Sequence, residues 1–205
     1  MSSFPKELEG LIEELARFPG VGRRSAERIA FYLLKMGDEE VDTLAKKIVE
    51  VHKNIRPCKF CNNFSIKEVC SICSNPKRRR DIICIVEEPK DVIAIEKTSQ
   101  YDGLYYVLLG AISPLEGVGP ENLNIKKLLD RFRSGEIKEV IISTDPDNEG
   151  ELTAQFIIEK ISPFGVKIYR IGIGIPFGTQ IEYIDSATLG RAISERKLID
   201  TRSTP

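Results

Sequence analysis

The sequence predicts an α+β protein built from several modules, and three patterns in its 205 residues point to this fold class. Apolar residues recur at helical spacing through the first 55 residues, and four cysteines form two C-x-x-C pairs within residues 56–80. From residue 81 onward, short apolar runs alternate with helical segments, which is typical of a mostly parallel sheet covered by helices. We therefore expect an N-terminal helical hairpin bundle, a small cysteine module, an α/β domain and a C-terminal helix.

Three helices are predicted in the N-terminal bundle. The first carries an apolar stripe from Leu8 to Leu15 and ends at the turn of residues 19–22, Pro-Gly-Val-Gly. A second amphipathic helix follows, and Gly37 is expected as the residue just past its end. A third helix is predicted from about residue 40 to residue 54.

The α/β domain is predicted to contain four strands with helices between them. The run at residues 82–86, Ile-Ile-Cys-Ile-Val, is apolar throughout, as expected for a strand that is buried on both faces. The other strands are predicted at residues 105–109, 140–142 and 166–171, and the helices at residues 89–97, 125–133 and 149–160. A final helix is expected at residues 189–197, with Thr188 as its N-cap.

Composition excludes several classes of protein. No apolar run approaches the roughly 20 residues that span a bilayer, and the first residues do not resemble a signal peptide, so a cytoplasmic location is expected. The net charge is −1, yet residues 1–80 hold 16 Lys/Arg against 11 Asp/Glu, and residues 81–205 hold 14 against 20. Opposite charges on the two parts suggest different roles, although uneven surface composition alone is the alternative.

The cysteine pairs are the most specific local pattern. Cys58 with Cys61, and Cys70 with Cys73, can each present two thiolates to one tetrahedral Zn²⁺. The loop between the pairs is too short for a hydrophobic core, so a metal would supply its folding energy. Two disulfides or free thiols are the alternative. Cys84 lies alone in an apolar run and is expected in the core.

The glycine turn between the first two helices has the form of a helix-hairpin-helix. Gly20 and Gly22 let backbone N–H groups approach a phosphate, and the next helix adds its positive N-terminus. Arg23, Arg24 and Arg28 add charge, so the pattern favours sequence-independent binding of DNA. An ordinary helical turn with solvated arginines is the alternative, and the same hairpin can also serve association.

Carboxylates follow two of the predicted strands. Glu87 comes after the first strand, and Asp145, Asp147 and Glu149 come after the strand at residues 140–142. Acidic side chains at the ends of parallel strands can hold Mg²⁺, and the arrangement resembles the Toprim domain of topoisomerases, primases and related nucleases. A turn rich in capping residues is the alternative.

Taken in order along the chain, these motifs resemble the RecR family of recombination mediators. Further stretches carry the resemblance: residues 91–96, Asp-Val-Ile-Ala-Ile-Glu; residues 110–120, Gly-Ala-Ile-Ser-Pro-Leu-Glu-Gly-Val-Gly-Pro; and residues 174–176 with Glu182, Tyr183 and Asp185. The resemblance implies a helix-hairpin-helix region at residues 1–55, a zinc module at 56–80 and a Toprim domain at 81–173. A Walker B-like segment with the C-terminal helix and tail would occupy residues 174–205.

The resemblance also implies a function. Members of the family are non-catalytic, bind double- and single-stranded DNA, form dimers and tetramers, and act with RecO and RecF to load RecA onto gapped DNA. It places DNA contacts at Arg24 and Arg28, matches Arg23 less closely, and connects the acidic positions with RecO. Tyr106 and the Thr179-Gln180 pair depart from the common family pattern. The alternative function is a Mg²⁺-dependent Toprim nuclease or primase-like enzyme, with Glu87 as acid/base and Mg²⁺ on Asp145 and Asp147.

Overall fold

The structure is a computed structural model that describes residues 4–172, 174–176, 178–194 and 196. The chain divides into two compact units, with the boundary between Ile55 and Arg56. The first unit is helical, and the second contains the cysteine module, a parallel sheet and the C-terminal helix. The predicted α+β class is therefore confirmed. Along the described residues, no helix combines the length and apolar character needed to cross a bilayer.

The first unit consists of three helices, α1 (Lys6–Ala16), α2 (Arg23–Leu33) and α3 (Asp38–Asn54). Helices α1 and α2 pack through a small core in which Ile12, Ala26 and Ala30 are fully buried. The role predicted for Gly37 is wrong, because α2 already ends at Leu33 and Gly37 has a negative φ of −70°. Gly37 is instead the N-cap of α3, and its N–H donates to the Glu40 carboxylate at 3.2 Å.

The cysteine module opens the second unit. Strand β1 (Arg56–Pro57) pairs antiparallel with β2 (Phe64–Ser65), and the short helix α4 (Ser71–Ser74) follows. Asn62 has a left-handed φ of 61°, and its side-chain amide donates to the Val107 carbonyl at 2.9 Å. The Val107 N–H in turn donates to the Cys61 carbonyl at 2.8 Å, and Lys127 Nζ donates to Asn62 Oδ1 at 2.7 Å. These bonds fix the module against the edge of the sheet.

The sheet has four strands in the order β4-β3-β5-β6, and every described pair is parallel. The strands are β3 (Ile82–Val86), β4 (Leu104–Val107), β5 (Glu139–Ser143) and β6 (Lys167–Arg170). The helices of this unit that follow the module are α5 (Pro89–Lys97), α6 (Ile125–Arg133), α7 (Asn148–Ile161) and α8 (Ser186–Ser194). Short 3₁₀ turns lie at Pro114–Glu116, Pro120–Asn122, Ser162–Phe164 and Ile181–Tyr183.

Strand β3 lies at the centre of this unit. All five of its residues are buried, as predicted from its unbroken apolar run. Ile83 and Ile85 belong to the larger core cluster with α6 and α7, whereas Cys84 and Val86 belong to a second cluster with α5 and β4. Cys84 is therefore a core residue, as expected. Tyr106 is fully buried, and its hydroxyl donates to the Asn124 carbonyl.

The C-terminal helix begins earlier than predicted. Asp185 Oδ1 accepts a hydrogen bond from the Thr188 N–H at 2.8 Å, so Asp185 is the capping residue and α8 starts at Ser186. The prediction of Thr188 as the N-cap is wrong, because Asp185 supplies a competing cap three residues earlier. The predicted end of the helix at residue 197 lies outside the described residues.

Candidate metal centre and nucleic-acid interface

The four cysteines of the module meet in one buried cluster. Their sulfur atoms all lie within 4.8 Å of one another, and Cys61 Sγ is 3.5 Å from Cys70 Sγ. Backbone N–H groups point at the sulfurs: that of Cys70 at Cys58 Sγ (3.3 Å) and that of Cys73 at Cys70 Sγ (3.4 Å). Donors of this kind stabilise thiolates, so the residues that the sequence pairs in two motifs form a single site that could hold a metal ion.

The charges within the cluster favour a cation. The hydrogen bond between Cys61 and Cys70 lowers the pKa of the Cys70 thiol and raises that of the Cys61 thiol. The contact therefore favours the thiolate form of Cys70, and thiols release their protons when they bind a cation. The donor set consists of sulfur alone, which fits a thiophilic ion. Within the described residues, no other set of three or more His, Cys, Asp or Glu side chains brings its ligand atoms this close.

The glycine turn and the start of α2 form an exposed basic surface. Gly20 has a φ of +76°, in the left-handed region that favours glycine, and Gly22 is the N-cap of α2. No described side chain caps this helix, so the N–H groups of its first turn remain open to an anion. Arg24 and Arg28 are exposed and four residues apart, and among the described residues no carboxylate lies within 4 Å of either guanidinium.

Arg23 differs from the other two arginines. Its guanidinium contacts the Glu9 carboxylate directly and lies 3.4 Å from that of Glu27. These contacts hold the side chain between α1 and α2. Arg24 and Arg28 are consequently the more available pair for a phosphate backbone.

The predicted acidic residues lie at the carboxyl ends of β3 and β5. The Asp145 N–H donates to Glu87 Oε1 at 3.0 Å, so these two residues are adjacent. Asp147 is the N-cap of α7, and its Oδ1 accepts from the Gly150 N–H at 2.8 Å. Glu149 accepts a hydrogen bond from the Ser113 hydroxyl. The capping role that the sequence left open therefore applies to Asp147, while the Glu87 carboxylate contacts the backbone of Asp145.

Glu87 has an unusual electrostatic environment. Burial raises the pKa of Glu87, and the nearby charges of Asp145 and Asp147 add to the rise. The Asp145 N–H opposes this effect only in part. Glu87 therefore takes up a proton more readily than an exposed glutamate does, whereas Asp145 and Asp147 are exposed to solvent.

The resemblance to the RecR family places Arg170 at the start of a Walker B-like stretch, residues 170–185, but sequence reasoning missed its role in organising this edge of the sheet. Arg170 Nη1 donates to the carbonyls of Ile142 (3.0 Å) and Thr144 (2.9 Å), and Nη2 reaches the Asp145 carbonyl at 3.3 Å. Nη2 also contacts Glu151 at 3.0 Å, and the same carboxylate oxygen accepts from Arg191 of α8 at 3.2 Å. An arginine at a strand end looks like a solvated residue in the sequence, and no local pattern indicates that it crosses to the neighbouring strand.

Gly150 is a second residue of this loop whose role the sequence does not reveal. A Cβ atom at this position would lie 2.0 Å from the Asp145 carbonyl oxygen and 2.8 Å from its carbonyl carbon. The Gly150 carbonyl also accepts from the Thr144 hydroxyl at 2.8 Å. The acidic loop therefore closes on the start of α7 only because residue 150 has no side chain.

Comparisons with known proteins match this architecture. Residues 8–52 match the family model described as RecR, helix-hairpin-helix, residues 81–172 match the Toprim domain, and residues 174–197 match RecR, C-terminal. The chain is 48% identical over 193 residues to Recombination protein RecR of Tropheryma whipplei, which covers 94% of this chain and 98% of that protein. The chain belongs to the RecR family. Recombination protein RecR of Streptomyces avermitilis is 48% identical and that of Acidothermus cellulolyticus 46% identical, each over 94% of this chain and 97% of the relative.

Membership of the RecR family confirms the resemblance predicted from the motifs and supports a role in recombination. The cysteine cluster lies between the residues matched by the first two models, and the acidic loop lies within the Toprim match. Arg191 lies in the segment matched by the RecR C-terminal model. Its contact with Glu151 therefore connects that segment to the Toprim region of this RecR-family chain.

Gly150→Ala should disrupt the acidic loop. The added methyl group collides with backbone atoms of Asp145, and overpacking of this kind costs about 1–3 kcal/mol in the free energy of unfolding. Urea denaturation measures the loss. Gly190→Ala is the matched control, because this helical glycine has no atom within 4 Å of a Cβ and alanine favours the helix. Equal stabilities of the two variants would contradict the close approach.

Proposed function

We propose that this chain is a DNA-binding recombination mediator without catalytic activity of its own, which acts with RecO and RecF to promote RecA loading on gapped DNA. The observation that carries the proposal is the open glycine turn with its pair of unneutralised arginines, in a chain of the RecR family. The turn offers backbone N–H groups to one phosphate, and Arg24 and Arg28 can reach others along the same strand. Contacts to phosphates carry no base information, so the binding is sequence-independent.

The acidic edge of the sheet is proposed as the contact with RecO. Asp145 and Asp147 are exposed, while their backbone is fixed by Arg170 and by the N-cap of α7. A rigid, negatively charged surface repels DNA and attracts a basic protein surface. Glu87 and Glu149 extend this surface from β3 and from the first turn of α7.

A Mg²⁺-dependent Toprim nuclease or primase-like enzyme is the second candidate. The raised pKa of Glu87 beside Asp145 favours it, because a proton carrier next to carboxylates suits phosphodiester chemistry. The mediator is preferred, because the chain belongs to the RecR family and its relatives are named as recombination proteins. DNA cleavage distinguishes the two candidates.

The metal of the cysteine cluster is proposed to be a structural Zn²⁺. Four thiolate ligands complete a tetrahedral site and leave no open position for a substrate, which is the pattern of structural rather than catalytic zinc. Reduced thiolates persist in a reducing compartment, which supports a cytoplasmic location.

Self-association is proposed to use α3. Exposed apolar residues of this helix are spaced alternately by three and four positions, as in the seam of a coiled coil: Val41, Leu44, Ile48 and Val51. Ile55, directly after the end of the helix, continues the spacing. Every residue of this helix is exposed in the single chain. A second copy of the chain can bury this stripe, consistent with the dimers and tetramers that the family resemblance implies.

Arg24→Ala with Arg28→Ala should weaken binding to gapped DNA about tenfold or more at moderate salt. Each phosphate contact releases counterions from the DNA, and this favourable release is lost together with the contact. The dependence of log K on log salt should also become shallower by about one unit per contact. Fluorescence anisotropy across a salt series measures both effects, and RecA loading on the same DNA should fall with affinity. Lys46→Ala with Lys53→Ala removes the same charge from α3. Equal losses in both variants would contradict a specific hairpin contact.

The same gapped DNA tests the enzymatic candidate. Wild-type protein with Mg²⁺ should leave both strands intact on a denaturing gel, whereas Mg²⁺-dependent cleavage that Asp147→Asn abolishes would overturn the mediator proposal. Asparagine is the suitable substitution, because it keeps the N-cap acceptor of α7 and removes the charge.

Purified protein should contain about one zinc ion per chain, measured by atomic absorption. Removal by a chelator should lower the melting temperature, and added Zn²⁺ should restore it, because metal binding supplies folding energy to the module. Cys73→Ser should reduce the zinc content, while Cys84→Ala, which removes a buried thiol outside the cluster, should leave it unchanged. A metal-free protein with the same melting temperature would refute a structural role.

Leu44→Ser with Ile48→Ser should weaken self-association about tenfold or more, because burial of each apolar side chain contributes about 1.5–3 kcal/mol. Sedimentation equilibrium measures the dissociation constant. Lys46→Ser with Lys53→Ser, on the face of α3 opposite the stripe, should leave it within about twofold of the wild type. An unchanged constant in the first variant would exclude α3 from the interface.

A further inference from the structure

The positive charge of the N-terminal part of the chain is concentrated in the cysteine module. Residues 56–80 hold seven Lys/Arg and one Asp/Glu, whereas residues 1–55 hold nine and ten. The module therefore has a net charge of +6, and the helical unit has a net charge of −1. An excess of this size within 25 residues attracts anions, even though the hairpin is the basic motif that the sequence pattern singles out.

Within the run of basic residues at 77–80, the three arginines have different environments. Arg78 is largely buried and binds the Glu96 carboxylate and the Tyr101 carbonyl. Arg79 pairs with Asp81 at 2.8 Å. Arg80 has no carboxylate within 4 Å among the described residues, and its Nη2 reaches only the Cys73 carbonyl at 3.5 Å. Of the three arginines in this run, Arg80 is therefore the one whose charge no carboxylate of the described residues compensates.

Arg80 lines a cavity of about 260 Å³ at the junction of the cysteine module and the sheet. A second arginine, Arg131 of α6, lines the same cavity, and its Nη1 is positioned by the Tyr105 carbonyl at 3.1 Å. Among the described residues, no carboxylate lies within 4 Å of Arg131. Glu136 also lines the cavity without reaching either guanidinium at that distance. Two uncompensated arginines from different elements therefore face one space.

The other side chains that line the cavity are suited to contact the base and sugar of a nucleotide. Phe60 is 49% exposed and lines the cavity, so one face of its ring is available for stacking against a base. Leu104 and Ile137 provide apolar walls. The volume corresponds to about nine water molecules, which is larger than a single phosphate requires.

We propose that this cavity binds one nucleotide unit, with its phosphate between Arg80 and Arg131 and its base on the ring of Phe60. Guanidinium groups bind phosphate oxygens through paired N–H donors, and aromatic stacking accepts any base. The site shares no residue with the glycine turn or with the acidic edge of the sheet. The choice of DNA as the probe rests on the proposed DNA-binding function, and the cavity adds a contact that the hairpin does not provide.

A competing role for these arginines is to balance the negative charge of a metal bound by four thiolates, since Arg80 touches the Cys73 carbonyl. In that case their loss would lower metal content and stability and would leave nucleotide binding unchanged. The two roles are therefore separable by measuring metal content, melting temperature and affinity on the same variants.

The test uses the full chain and a 20-residue oligo(dT) that carries one 5-iodouracil for photocrosslinking. Arg80→Gln and Phe60→Leu should each weaken oligo(dT) binding about fivefold or more. The Phe60 variant loses a stacking contact, and the Arg80 variant loses a charged hydrogen bond to the phosphate. Arg79→Gln, whose guanidinium is already paired with Asp81, should bind like the wild type. Peptide mapping should locate the crosslink at Phe60, and zinc content should stay unchanged in every variant.

The hairpin variant, Arg24→Ala with Arg28→Ala, distinguishes this inference from the proposed function. At protein concentrations that restore binding, it should still crosslink at Phe60. If millimolar thymidine monophosphate displaces oligo(dT), the site also accepts free nucleotides. If it does not displace oligo(dT), the site is specific for a nucleic-acid strand. Wild-type affinity of Arg80→Gln and Phe60→Leu, with no crosslink at Phe60, would overturn the cavity site and leave hairpin binding intact. Loss of zinc without loss of affinity would overturn it in favour of charge balance.

Discussion

The sulfur cluster is the constraint on which the second unit depends, because the cysteine module has almost no other core. Its two strands have two residues each, and its buried cluster consists of the four cysteines with Val69 and Ile72 packed against them. Apolar area this small does not offset the entropy of ordering 25 residues, and a metal ion bound by the four sulfurs would supply the missing stabilisation. Because Cys61 and Asn62 bond to Val107, the same cluster also positions β4 at the edge of the sheet.

The acidic edge depends on a different interaction, in which one guanidinium donates hydrogen bonds to several backbone carbonyls. Arg170 binds the carbonyls of Ile142, Thr144 and Asp145, which follow one another around the end of β5. Gly150 allows the first turn of α7 to close on this loop from the other side. The loop is thereby held before any ligand arrives, which lowers the entropic cost of binding a partner or an ion at Glu87 and Asp145.

Local patterns explain which parts of the structure could be predicted. The buried run of β3, the start of α5 at Pro89 and the bounds of α6 follow from features that lie within a few residues of one another. Gly37 and Thr188 were assigned wrongly because several neighbouring residues can each cap a helix, and a single hydrogen bond decides among them. Arg170 and Arg80 could not be assigned, because their partners come from distant parts of the chain and become neighbours only in the folded protein. The DNA-binding roles of Arg24 and Arg28 stay predictions.

The distribution of charge in a chain with a net charge of −1 is compatible with the two partners proposed for it, a nucleic acid and a basic protein. The helical unit is slightly acidic, so the DNA binding proposed for it would depend on Arg24 and Arg28, which lack the carboxylate contacts that hold Arg23. Residues 81–205 hold six more acidic than basic residues, and this excess repels the phosphate backbone. Repulsion of this kind would keep DNA away from the carboxylates at the ends of β3 and β5. The proposed basic partner would then not compete with DNA, since the two partners require surfaces of opposite charge.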